Sequence, residues 1–393
     1  MRPIQMVDLQ AQYQHIKPEA EKAMQEVISS AAFIDGPQVK LFADELSQFL
    51  DGGEVIPCAN GTDALQIALM ALNLPPQSEI ILPSFNYVAS AEVVALLGHK
   101  PVFCEVNPRT FTIDPELAAN KITDKTAAII PVHLFGQCAN MEPIIDLALE
   151  HNLYIIEDNA QAIGAEYKAS DGSVVKAGFM GTAGTTSFFP SKNLGCMGDG
   201  GAMLTNDEEL AARLKIIAHH GQSKKYHYQQ VGVNSRLDTL QAALLRVKLQ
   251  KLNDYTLARQ ASADYYDKAF ANSPEIKTPL RAEYSSHVFH QYTILVDPLI
   301  RDGLKAYLAE QKIPSMIYYP VPLHLQEAYA NLGYKVGDFP VTELLCKSVI
   351  SLPMHTELDQ EQLAYITWHV TEFTGCHSRP ETDTYLVPDD ASG

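Results

Sequence analysis

Between about residues 55 and 240, short apolar runs alternate with stretches of helical periodicity, and this alternation restricts the fold more than anything else in the chain. Ile80–Leu82, Pro101–Phe103, Ala127–Val132 and Leu153–Ile156 read as strands. Asp63–Leu72, Ala89–Leu97 and Glu142–His151 read as helices between them. Runs this short and this continuously apolar suit strands buried on both faces, as in a parallel sheet. Parallel neighbours need a crossover, and the intervening helices supply it with right-handed connections. The expected class is α/β with a mainly parallel sheet, and in such sheets ligands gather beyond the carboxyl ends of the strands.

Three features fall at those ends or at the helix starts that follow them. Leu153–Ile156 runs into Glu157 and Asp158, and alternation sends their side chains to opposite sides; Asp158 shares the terminal position with the turn leading to Gln161. Asn60, Gly61, Thr62 and Asp63 form a polar turn opening a helix whose Leu65, Leu69 and Leu72 share a face. Free amides and the positive dipole end make such a start a phosphate site, and Gly61 permits close backbone approach. Lys192 follows an apolar aromatic run, Phe188-Phe189-Pro190, and precedes a loop containing Gly195, Gly198, Gly200 and Gly201. Burial disfavours the ammonium form, and a neutral lysine can form a Schiff base with an aldehyde. Singly, these residues also read as a helix cap, a capped helix start and a surface lysine. Together they describe one pocket holding a phosphate, a ring nitrogen and an aldehyde, the three handles of pyridoxal phosphate.

The ordered motifs Phe33-Ile-Asp-Gly-Pro37, Cys58-Ala-Asn-Gly-Thr-Asp-Ala-Leu-Gln66, Pro83-Ser-Phe-Asn-Tyr-Val-Ala89, Glu157-Asp-Asn-Ala-Gln161, Ser187-Phe-Phe-Pro-Ser-Lys192, Gly195-Cys-Met-Gly-Asp-Gly-Gly201, Gly232-Val-Asn-Ser-Arg-Leu-Asp238 and Tyr319-Pro-Val-Pro-Leu-His324 resemble the DegT/DnrJ/StrS family of nucleotide-sugar aminotransferases, from about Val7 to Phe373. The resemblance implies the aspartate-aminotransferase fold, with a large domain built on a seven-stranded sheet and a smaller α/β domain. It implies pyridoxal 5′-phosphate (PLP) held by Lys192, Asp158 on the pyridine nitrogen, Tyr87 on the ring face, and Gln161 near the 3-hydroxyl. It assigns the phosphate to Gly61, Thr62, the Asp63 amide and Ser187, and to Asn234 of a neighbouring subunit, so that a homodimer shares its active sites. Arg236, Tyr318, Tyr319 and His324 match positions near the sugar nucleotide. Tyr318-Tyr319 stands where several relatives carry His-Tyr, and Asn159 where Ala or Cys is commoner. Some relatives replace the lysine with histidine and act as dehydratases; Lys192 favours amino transfer from L-glutamate, which leaves as 2-oxoglutarate.

The combined motifs most resemble 3-aminotransferases acting on UDP-2-acetamido-2-deoxy-3-keto-hexuronic acid for O-antigen or surface polysaccharide. A dTDP- or UDP-linked 3-keto or 4-keto 6-deoxyhexose is the alternative substrate.

The chain has 393 residues, 29 Lys plus Arg against 47 Asp plus Glu, and a formal net charge of −18. That balance disfavours nucleic acid and anionic membranes as partners. An anionic substrate therefore needs a local basic cluster, for which His219, His220, Lys224, Lys225, His227 and Arg236 are candidates. Six scattered cysteines without zinc spacing suggest thiols in a reducing cytosol and no metal site. The polar N-terminus and short apolar runs suggest a cytoplasmic protein without a leader or membrane span. No Gly-x-Gly-x-x-Gly turn follows a first strand, against a dinucleotide-dependent oxidoreductase. No separate DNA-binding module or basic stripe supports a purely regulatory role.

The expected organisation is an N-terminal arm and PLP-binding domain over 1–252, a small domain over 253–376 and a disordered tail over 377–393. Lys17–Ser30 reads as a helix and Ser235–Lys251 as a long amphipathic one. Phe289–Val296 and Ile317–Tyr319 read as strands, and Arg301–Gln311 as a helix.

Overall fold

The structure, a computed structural model, describes residues 1–377. Helices α1 (Leu9–Ser30) and α2 (Pro37–Phe49) precede β1 (Glu54–Cys58). Then α3 (Gly61–Leu72), β2 (Glu79–Pro83), α4 (Ala89–Leu96), β3 (Lys100–Cys104), α5 (Pro115–Ala119), β4 (Thr126–Ile129), α6 (Met141–His151) and β5 (Tyr154–Asp158) follow. After a hairpin of β6 (Glu166–Lys168) and β7 (Val174–Lys176), strands β8 (Ala183–Ser187) and β9 (Gly201–Thr205) complete a sheet of order β1-β9-β8-β5-β4-β2-β3. Only β9 runs against its neighbours.

The pleat explains why this sheet is sandwiched. Successive side chains face opposite ways, so Ile80, Leu82 and Ile156 enter a core with α3, α4 and α7 (Glu208–Ala218). Ile81, Val102, Ile129 and Ile155 enter another core against α6. Each such residue fully removed from water contributes roughly 1.5–3 kcal/mol. With helices on both faces, the carboxyl ends of β1, β2, β5 and β8 share one edge of the sheet. The segments leaving those ends carry Asn60–Thr62, Asn86–Tyr87, Asp158–Gln161 and Ser187–Lys192.

Past α7 come a hairpin of β10 (Gln222–Lys224) and β11 (His227–Tyr228), then α8 (Thr239–Leu249) and α9 (Leu252–Phe270). The remaining elements are β12 (Tyr292–Leu295), α10 (Arg301–Glu310), α11 (Pro340–Ser348), β13 (Val349–Leu352) and α12 (Gln360–Cys376), with β12 and β13 antiparallel. A separate apolar core here unites Tyr266, Phe270, Ile294, Leu304, Ile350 and Ile366. Ile4 from the chain start is part of it, and Arg2 reaches Glu357 and Asp359.

Several elements differ from the sequence reading. The helix expected from Ser235 begins at Thr239, because tertiary bonds hold the preceding backbone extended. The Ser235 amide donates to the Ala218 carbonyl, its hydroxyl accepts from the Ala59 amide, and the Thr239 amide donates to the Phe33 carbonyl. That helix ends at Leu249, and α9 follows as a separate element. Helix α1 starts at Leu9, capped by Asp8, and tolerates Pro18 within it. Ile317–Tyr319 is not a strand; a single bridge joins Met316 to Ser351. Phe289 has a φ of 46°, which delays the strand to Tyr292. The tail expected over 377–393 lies, from residue 378 on, outside the described residues.

Candidate active site

Glu157 and Asp158 leave β5 in opposite directions and meet different surroundings. The fully buried Glu157 accepts backbone N–H bonds from Gly178 (2.8 Å), Met180 (2.7 Å) and Gly181 (2.6 Å). Its Oε2 also lies 2.9 Å from His133 Nε2. The Ala139 amide donates to His133 Nδ1 at 3.0 Å, which leaves the ring proton on Nε2 for Glu157. Glu157 is thereby saturated by the protein. Asp158 accepts from the Ser90 hydroxyl (2.7 Å) and the Ala160 amide (3.2 Å), which leaves lone pairs for a ligand.

Lys192 sits in the turn after β8. Phe188 is buried in a core with Phe42 and Leu194, whereas Phe189 is exposed, so the expected apolar run is split. Burial pushes the Lys192 ammonium down to about 8, while the charge of Asp158 acts in the opposite sense. No hydrogen bond or ion pair holds that ammonium among the described residues. An amine so placed is neutral in a useful fraction near neutral pH, which is the form that attacks a carbonyl. The turn is held from behind: Lys248, buried on α8, donates to the Gly195 carbonyl at 2.6 Å. Burial also pushes its ammonium down to about 8.

The α3 start is built for close approach. The side chain of Asn60 caps the helix by accepting the Asp63 amide at 2.8 Å. This corrects the expectation that the Asp63 amide faces a phosphate, since the cap already uses it. The Gly61 and Thr62 amides have no partner among the described residues. A Cβ on Gly61 would lie 2.8 Å from the Ser187 Cβ, so only glycine lets the helix start meet the end of β8. Open amides and a serine hydroxyl within one concavity fit a phosphate group.

Aromatic residues gather on the same edge. Tyr87 is 57% exposed, and its ring centroid lies 6.2 Å from that of Tyr319. Gln161 occupies a turn, not a helix. Its Oε1 accepts the Phe135 amide (2.7 Å) and its Nε2 donates to the Tyr319 hydroxyl (3.2 Å). Burial raises the Tyr319 hydroxyl well above its usual range. Tyr318 is half-buried against Tyr319, and burial raises it as well.

Three expected residues lie elsewhere. His324 is buried, with Nδ1 2.7 Å from Ser84 Oγ and Nε2 3.3 Å from Glu343. With both ring nitrogens engaged by the protein, it has none to offer a sugar; this corrects its assignment as a substrate ligand. Asn234 is exposed and paired with His219. Arg236 lines a cleft of about 830 Å³ with Lys40, Lys215, His219 and Asp35, whose lining contains none of Lys192, Asp158, Tyr87 or Gln161. The sequence reading missed Ser90, Asn86, Lys248 and His290. His290 is buried with Nδ1 unpartnered, and burial together with Lys192 depresses its basicity. Asn86 lies next to Tyr87 in a quoted motif but signals no chemistry by its spacing; tertiary folding brings Ser90, Lys248 and His290 to the site.

Comparison with known proteins identifies the family. A family model for the DegT/DnrJ/EryC1/StrS aminotransferases matches residues 14–371. A pleiotropic regulatory protein of Geobacillus stearothermophilus is 45% identical, over 94% of this chain and 98% of its own. The UDP-2-acetamido-2-deoxy-3-oxo-D-glucuronate aminotransferase of Pseudomonas aeruginosa is 44% identical, over 92% and 98%. The crystal structure of S. venezuelae DesV in complex with a ketimine intermediate superposes with a TM-score of 0.91 at 36% identity, covering 95% of this chain and 99% of that one. The chain belongs to the DegT/DnrJ/EryC1/StrS aminotransferase family. It is an aminotransferase of the α/β fold that uses pyridoxal 5′-phosphate.

Proposed function

We propose that this chain transfers the amino group of L-glutamate to a keto sugar nucleotide, specifically the 3-keto group of a UDP-linked N-acetyl-hexuronic acid. The observation that carries the substrate is the 44% identity, over nearly the whole of both chains, to an enzyme named for that 3-oxo-glucuronate. We assign the reaction to surface polysaccharide or O-antigen synthesis and to the cytoplasm. No helix among the described residues is long and apolar enough to cross a membrane.

PLP, when bound, supplies the aldehyde that captures an amine and the cationic ring that withdraws electrons from it. Lys192 is the residue to hold that aldehyde and, once released, to move the proton between substrate carbon and cofactor. Its desolvated amine suits both tasks, since a base poised near neutral pH gains and loses a proton readily. The Asp158 carboxylate would pair with the ring nitrogen of bound PLP. When PLP is bound, Gly61, Thr62 and Ser187 would take its phosphate and Tyr87 its ring face, while Gln161 orients Tyr319, on the side assigned to the sugar nucleotide.

Asn234 and Arg236 are proposed to serve the neighbouring subunit of a homodimer. The exposed apolar side chains of Phe33, Ile34, Phe189, Met197 and Val231 support this reading. The guanidinium of Arg236 suits a diphosphate or uronate carboxylate through paired hydrogen bonds. The large unit is assigned to residues 1–252 and the small one to 253–376.

The deciding experiment loads the protein with pyridoxamine phosphate and offers UDP- and dTDP-linked 3-keto and 4-keto sugars. Return of the visible absorbance should be fastest with the UDP-3-keto-uronate. Faster return with a 6-deoxyhexose would replace the substrate while leaving the aminotransferase assignment intact.

A further inference from the structure

Asp158 is the end of a buried hydrogen-bond chain that starts two elements away. Asn86, in the loop after β2, donates from Nδ2 to Ser90 Oγ at 2.9 Å, and Ser90, in the first turn of α4, donates to Asp158 Oδ2 at 2.7 Å. Ser90 is 0% exposed, Asn86 3% and Asp158 6%. The polarity of this chain is fixed by chemistry. An amide nitrogen only donates, so its bond occupies a lone pair of Ser90 and leaves the single hydroxyl proton for the carboxylate. A carboxylate accepts that proton best when ionised, and the upstream amide strengthens the hydroxyl as a donor.

We propose that Asn86 and Ser90 form a positioning relay that fixes the rotamer of the Asp158 carboxylate for the ring nitrogen of the cofactor. Neither touches the reacting atoms. They act through Asp158: with its rotamer held, the carboxylate meets the ring nitrogen in line, whereas a carboxylate free to turn pairs with the ring less well and weakens the electron sink. Asn86 lies one residue before Tyr87 and Ser90 opens the following helix, so the β2–α4 connection both flanks the ring and positions its acid. The inference rests on the reading of Asp158 as the ring-nitrogen partner.

The test reconstitutes Ser90→Ala, Ser90→Thr, Asn86→Ala and Asp158→Asn proteins with PLP. The readouts are cofactor affinity, the position of the visible band, and melting of the cofactor-free proteins. Ser90→Ala is expected to bind PLP roughly tenfold more weakly, the loss typical of one hydrogen bond to a charged group. Its visible band should move in the same direction as in Asp158→Asn, with the KM for the sugar unchanged and kcat lowered. Ser90→Thr, which keeps the hydroxyl, should restore affinity and band, and Asn86→Ala should shift both in the same sense but less. A native band and affinity in Ser90→Ala beside a perturbed Asp158→Asn would overturn the relay alone. A native-like Asp158→Asn would overturn the role of Asp158 beneath it. If Ser90→Ala does not fold, an unshifted band in Asn86→Ala refutes the proposal.

Discussion

Lys192 carries the sharpest predictions at the scale of a residue. Its folded ammonium titrates near 8 against an ordinary 10.5, because burial removes its hydration. Between those values the unfolded chain binds more protons than the folded one, so the stability of the cofactor-free protein rises as pH increases through that window. Lys192→Met should therefore abolish amino transfer, yet melt higher than the native cofactor-free protein at pH 7. The gain should be on the order of 3 kcal/mol and should vanish above about pH 10.5. Calorimetry of both proteins across that range checks the sign; a variant less stable at pH 7 would contradict the desolvation. Lys192 was legible as a candidate because its motif occurs together with the strand-end Asp158 and the polar start of α3; alone it also reads as a surface lysine. Lys248, whose ammonium is equally depressed, sits at an unremarkable helical position and was not legible.

At the scale of an element, the start of α3 and the end of β5 make contrasting predictions. Asn60 caps α3 through the Asp63 amide, so Asn60→Ala should lower stability by about 1 kcal/mol. It should also weaken PLP binding, since the frayed turn no longer aims the Gly61 and Thr62 amides; melting and cofactor titration read the two effects. Gly61→Ala places a methyl group 2.8 Å from the Ser187 Cβ, and cofactor affinity should fall further than stability. At β5, Glu157→Ala strands His133 and three backbone donors, each costing about 1–3 kcal/mol when left buried and unpaired. Little folded protein is expected from it, whereas Asp158→Asn should fold and lose activity. Alternation along the strand separated the two carboxylates at sequence level. What differentiates them, a backbone nest on one side and Ser90 on the other, comes from β8-side loops and α4, which no local pattern announces.

At the scale of the whole molecule, the proposed dimer yields a complementation test. Lys192→Ala and Arg236→Ala disable different subunits of a shared site. Mixed and refolded together, they should regain roughly a quarter of native activity, because half the dimers are mixed and each contains one intact site. No recovery would return Arg236 to its own chain. Sedimentation should give twice the chain mass of 43.3 kDa. The error over Ser235–Lys251 belongs to this scale too. The periodicity there is genuinely helical, but bonds from Ala59, Ala218 and Phe33 hold its first residues extended. His324 was misread for the same kind of reason, because a histidine in a matching motif becomes structural once Ser84 and Glu343 occupy its ring.

The sequence by itself determined the α/β class and the parallel strands, and it singled out the lysine, aspartate and helix start proposed to carry the chemistry. The fold class depends on local periodicity, and the three candidates on their occurring together at strand ends. Only the tertiary structure decided which donors surround each carboxylate and which amides remain open. Hydrogen-bond partners and burial are set by distances between residues far apart in the chain, and such distances exist only once the sheet has closed its helices around it.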